Sequence, residues 1–143
     1  MTATAIESPG DLDFEKAAGD RVMLLPFRDV VSELTELLGP RLVSEIASVS
    51  ETRAIREWAD GLREARRSTQ ARLRLALLVT QLLTAAYDNP ELPVTWFDTP
   101  QFRLGYRTAA DLLKDPKEDP KTISPYLLEA AREFILENSG RTK

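Results

Sequence analysis

Seven arginines fall between positions 51 and 74 (Arg53, Arg56, Arg63, Arg66, Arg67, Arg72 and Arg74), against four acids, Glu51, Glu57, Asp60 and Glu64. That is a local excess of three positive charges in a chain whose formal net charge is −4. A guanidinium is a planar fork of donors that fits phosphate oxygens, or O6 and N7 of guanine. Arg53 and Arg56 are three residues apart, the spacing that puts two side chains on one face of a helix, and are the candidate base readers. Ser50 and Thr52 just before them offer hydroxyls to a phosphate. Arg63, Arg66 and Arg67 lie beyond Gly61, in the segment after that helix, with Arg72 and Arg74 further on. All five are placed to neutralise flanking phosphates, each contact adding about 0.9 to the salt slope of binding.

Other chemistries are poorly supplied. The chain has no histidine and no cysteine, which removes imidazole bases, thiolate nucleophiles, disulfides and the usual zinc and haem ligands. No glycine-rich phosphate loop is present, and the acids are scattered as on solvated helices. We therefore expect no enzymatic activity, no catalytic residue, no metal and no cofactor. A second cluster, in residues 95–114, gathers Trp96, Phe97, Phe102 and Tyr106 close to Pro93, Pro100 and Gly105. Such a corner is either a satellite core or, where its rings are exposed, a surface for a protein partner.

Charge is unevenly distributed: −5 over residues 1–50, +2 over 51–110 and −1 over 111–143. No charged segment followed by an apolar one opens the chain, and no apolar run approaches the roughly 20 residues that span a bilayer. The expectation is a cytoplasmic protein with no membrane partner.

The elements that must position these residues read as helices throughout. Residues 1–25 show no helical period and suggest a flexible arm, with Val22–Leu25 an extended strip lying on the core. Phe27, Val30, Val31, Leu34, Leu37 and Leu38 recur at steps of three and four before Gly39-Pro40. A short helix through Leu42, Val43 and Ile46 and another over residues 51–59 then occupy the length of a helix-turn-helix. The same pattern also suits a plain helical hairpin with a solvated arginine face. Residues 68–87 are apolar on almost every side, so that helix is either a central strut or is covered in part by a second subunit in a homodimer. Thr108 and Asp111 start a further short helix, residues 114–121 form a charged linker, and Ser124-Pro125 opens a last helix ending at Asn138-Ser139-Gly140. The fold class is all-α: a helix-turn-helix bundle with its long central helix over residues 26–87, and a small C-terminal helical module over 88–143.

The order of segments resembles the MbcA/ParS/Xre-type antitoxins. Residues 37–61, with Thr52-Arg53, Trp58 and Gly61, are similar to the family's Xre-like helix-turn-helix, and Arg72-Leu73-Arg74-Leu75 to the start of the helix that follows. Ser48 stands where the family's turn often has glycine. Trp96-Phe97, Leu104-Gly105, Arg107-Thr108 and Leu112-Leu113 resemble the toxin-binding domain, and residues 130–134 its closing helix. The resemblance implies an antitoxin that neutralises a cognate toxin from the neighbouring gene, typically a RES-domain enzyme consuming NAD⁺, and that represses its own operon by binding operator DNA. It implies toxin contact through Trp96, Phe97, Phe102, Leu104 and Arg107. By position it also puts the tail, with Asn138, Arg141 and Lys143, at the toxin's active-site cleft. Two rival readings share the scaffold: a free-standing helix-turn-helix regulator, and an interaction protein without DNA binding, the latter in keeping with Glu51, Glu57 and the net acidity.

Overall fold

In the computed structural model of the chain, residues 12–141 are described, with side chains from Asp13 to Glu137. Among them are eight α-helices and a single 3-10 turn, with one isolated antiparallel bridge, Gln101 to Arg107, and no strand. The helices are α1 (Leu12–Leu24), α2 (Phe27–Leu38), α3 (Pro40–Ile46), α4 (Thr52–Ala59), α5 (Arg67–Ala86), α6 (Leu92–Phe97), α7 (Ala109–Lys114) and α8 (Pro120–Arg141). The 3-10 turn, Phe102–Leu104, lies between α6 and α7.

The three- and four-residue spacing in α2 buries Val30, Val31, Leu34 and Leu38 against α3, α4 and α5. Gly39 ends α2 at φ +88, a conformation that favours glycine, and Pro40 begins α3 where its missing N–H costs nothing. The central helix α5 is the strut of the fold. Leu73, Leu77, Val79, Leu82 and Leu83 are fully buried, and α1, α2 and α8 of the same chain pack around it. Covering it needs no second subunit. One contiguous core runs from Val22 to Ile135, across the boundary expected at residues 87 and 88.

Three local expectations are corrected. Residues 12–24 form a helix rather than part of a flexible arm; residues 1–11 lie outside the described residues. Asp13 and Glu15 sit in the first turn of α1 and Arg21 in the last, which suits the helix dipole, and Val22 is buried. Long-range bonds hold this helix down: Arg132 to Glu15 at 2.7 Å, Arg21 to Glu33 at 2.7 Å, and Arg74 Nη1 to the carbonyls of Val22 and Leu25 at 2.6 and 2.8 Å. No local period could have announced them. The last helix begins at Pro120, not Ser124, because Asp119 caps it, its Oδ1 accepting from the Lys121 N–H at 3.0 Å, and because Ile123 is buried. That helix also continues through Asn138-Ser139-Gly140 to Arg141.

Candidate nucleic-acid interface

Helix α4 is amphipathic over its eight residues. Ala54, Ile55 and Trp58 are buried, the Trp58 ring 5.9 Å from that of Phe27, while Thr52, Arg53 and Arg56 are exposed on the opposite face. Ser50, in the turn before it, is exposed as well. The turn between α3 and α4 depends on Ser48, which takes up the left-handed region at φ +59 where glycine is usual. Its hydroxyl donates to the Lys114 carbonyl at 2.7 Å, tying the turn to the end of α7.

The arginines divide into three groups. Arg53 Nε donates to Glu57 Oε2 at 3.0 Å and Arg63 Nη1 to Glu57 Oε1 at 3.1 Å, so one carboxylate holds two guanidinium heads. The hydrogen bond from Arg63, then that from Arg53, keeps the Glu57 carboxyl below its ordinary range. Arg56, Arg66 and Arg67 are exposed and, among the described residues, have no carboxylate partner.

Arg72 and Arg74 are not available to phosphates. Arg72 is 8 % exposed and donates to the carbonyls of Leu113 at 2.5 Å and Glu118 at 2.6 Å. Arg72 and Arg74 thus satisfy carbonyls at the C-terminal end of another helix, α7 for Arg72 and α1 for Arg74, where positive charge is favoured.

The expected partner-facing residues also separate. Trp96 is 2 % exposed, Phe97 fully buried in an edge-to-face pair with it, and Leu104 buried, so these three are core of the C-terminal module and present no surface to a partner. The short helix α6 that carries the aromatic pair packs against α5, α2 and α7. Arg107 is half-buried, spanning Asp115 at 3.1 Å and Glu118 at 3.2 Å, and closes the loop. Phe102 remains outside at 70 % exposure, and Tyr106 joins it at 68 %, the rings edge to face at 5.6 Å. Gly105 and Tyr106 are both in the left-handed region at φ +67, and the Gln101–Arg107 bridge closes the turn beneath them. Tyr106 was not among the expected contacts; the signal was the Leu-Gly-Tyr run, in which glycine permits the reversal that sends the next side chain outward. The main chain at Asn138 and Arg141 belongs to α8, and their side chains and Lys143 lie outside what is described.

The chain matches no family model, no curated protein and no solved structure. Among the described residues there is no group of three acids that could hold a metal, and no helix is long and apolar enough to cross a membrane.

Proposed function

We propose that this chain is an antitoxin and regulator that binds operator DNA through α4 and a partner protein through its C-terminal module. The observation that carries the DNA half is the outward face of α4, where Thr52, Arg53 and Arg56 are exposed while Ala54, Ile55 and Trp58 fix the helix to the core. Because Glu57 holds Arg53, one copy binds DNA weakly, and affinity comes from pairing two copies or from assembly with the partner. The partner half rests on the resemblance to the MbcA/ParS/Xre-type antitoxins, which supplies a RES-type NAD⁺-consuming toxin as the partner class, and on the Phe102–Tyr106 pair, an exposed aromatic knuckle of the kind favoured at protein interfaces.

Mobility shift on the chain's own promoter tests the first half: Arg53→Ala with Arg56→Ala should abolish the shift, and indifference to both removes α4 as the reader. Co-expression with the adjacent gene tests the second, the expected result being a stable complex and rescued growth. A non-DNA-binding interaction protein is the second reading, favoured by the capture of Arg53 and Arg63 by Glu57. Failure to bind heparin at low salt would select it.

A further inference from the structure

Helix α8 buries one side and leaves a patterned surface on the other. Ile123, Leu127, Ala131 and Ile135 are buried, while Tyr126, Glu129, Glu133, Leu136 and Glu137 fall at helical steps that place them in one outward stripe about 100° wide. Within that stripe Tyr126 is 56 % and Leu136 64 % exposed. The 3-10 turn is fixed beside it, because Arg103 donates to both carboxylate oxygens of Glu133 at 2.6–3.0 Å. The exposed Phe102–Tyr106 pair therefore stands at the edge of the stripe, and four of the seven large apolar side chains exposed among the described residues share this side of the molecule. Apolar side chains gathered in this way mark a surface for a partner rather than ordinary exposure.

The charge on this face has one sign. Glu129 and Glu137, one turn before and one turn after Glu133, are exposed and have no salt-bridge partner among the described residues. Arg103 is the cation set against these three acids; its hydrogen bond to Glu133, and beyond it the fields of Glu129 and Glu137, hold its pKa above the ordinary range. A carboxylate stripe repels a phosphate backbone, whereas carboxylates and the faces of aromatic rings both attract ammonium and guanidinium groups.

We propose that this face of α8, with the Phe102–Tyr106 pair at its edge, docks a basic amphipathic segment of the partner protein. Lysines or arginines of that segment pair with Glu129 and Glu137, and its apolar side chains cover Tyr126 and Leu136. The inference deepens the partner half of the proposed function and rests on it for the partner's identity; the chemistry of the surface does not depend on the adjacent gene.

Two experiments test it. In the first, the ¹⁵N-labelled full chain is titrated with a synthetic amphipathic peptide of leucine and lysine, and separately with its leucine–glutamate counterpart. The lysine peptide should shift the amides of residues 102–106 and 126–137, and the glutamate peptide should not. Residues 1–50 carry the larger negative charge, −5, so attraction by charge alone would shift α1 to α3 instead. That result, or no response at all, overturns the proposal. Glu129→Lys with Glu137→Lys should weaken binding at least about tenfold, since like charges then face each other. Glu129→Gln with Glu137→Gln should weaken it less, and Tyr126→Ala with Leu136→Ala should weaken it without altering the charge. All six substitutions are at exposed positions, so circular dichroism and melting temperature should stay near wild type.

In the second, the same variants are co-expressed with the adjacent gene product. A complex that is lost on charge reversal and loosens as salt rises supports the docking face with that protein as its occupant. If no complex forms but the lysine peptide still maps to α8 and the 3-10 turn, the partner assignment fails and the face stands. If the complex forms and tolerates both the charge reversal and the double alanine variant, the partner assignment stands and the docking face is overturned. Self-association of the chain alone that disappears on charge reversal would make a second copy, offering its arginine cluster, the occupant, and would overturn the proposal as well.

Discussion

Arg53 and Arg63 approach one carboxylate from two directions, the first from within α4 and the second from the segment beyond it. Glu57 therefore sets how much of the arginine cluster is free, and Glu57→Gln should release both heads. The variant should elute from heparin at higher salt and steepen the salt dependence of DNA binding by up to about 1.8, two contacts' worth, with little change in melting temperature. The effect of pH has a definite sign. The Glu57 carboxyl is held below its ordinary 4.5, so the clamp is fully present above the unfolded value and is lost only as pH falls through the lower folded one. Near neutrality the clamp stays shut, and acidification should raise heparin retention of the wild type toward that of Glu57→Gln. Ser48 offers a second test, because it combines a left-handed backbone with a tertiary hydrogen bond. Ser48→Ala loses the bond and keeps the strain, at a cost of about 1 kcal/mol. Ser48→Gly loses the same bond but relieves about 1 kcal/mol of strain, and should lie near wild type in urea denaturation.

At the scale of elements, two arginines of α5 act as staples rather than as phosphate ligands. Arg72 reaches two carbonyls at once, one at the end of α7 and one in the loop before α8. Arg72→Met should cost about 3 kcal/mol in urea denaturation, since each bond from a charged donor contributes roughly 1.5–3 kcal/mol, and Arg72→Lys should recover little because an ammonium lacks the fork. The 3-10 turn gives the opposite contrast. Phe102→Ala with Tyr106→Ala should leave the urea midpoint unchanged yet weaken a co-purified partner by about 2 kcal/mol or more. Trp96→Ala should cost about 3–5 kcal/mol of stability. If the double alanine variant binds its partner normally, the knuckle is not the docking point. The periodic helices α2 to α5 and the Thr108 cap, whose Oγ1 accepts from the Asp111 N–H at 3.0 Å, were legible in the sequence because each is written in local spacing. Helix α1 was not, since Gly19 and its charges dilute the period of Phe14, Ala18 and Val22, and its anchors come from Glu33, Arg74 and Arg132. Of the candidate site, the outward set Thr52, Arg53 and Arg56 was readable from the helix phase. The fate of Arg72 and of Trp96-Phe97 was not, because it depends on which distant carbonyl or hydrophobic face each side chain meets.

At the scale of the molecule, helices α2 to α4 and the elements from α6 to α8 share α5 as a common wall. Leu73, Leu77 and Leu83 belong to the same buried cluster as Val31 and Ile46 on one side and Phe97, Leu113 and Leu127 on the other. Bonds between distant parts reinforce that unity: Ser48 to Lys114, Arg72 to Leu113, and Arg132 to Glu15. Removing the C-terminal module would expose one flank of α5 and the carbonyl partners of Arg72 together. Burial of a single leucine contributes about 1.5–3 kcal/mol, so losing several such contacts would be comparable to the roughly 5–15 kcal/mol typical of a whole domain. The two halves should therefore unfold as one. Trp58 reports on the first half and Trp96 on the second, so their indole resonances should vanish at the same urea concentration, coincident with the loss of far-ultraviolet circular dichroism. A midpoint for Trp96 well below that for Trp58 would mean that the residues after α5 open independently, and the shared core would then not make the two halves one cooperative unit.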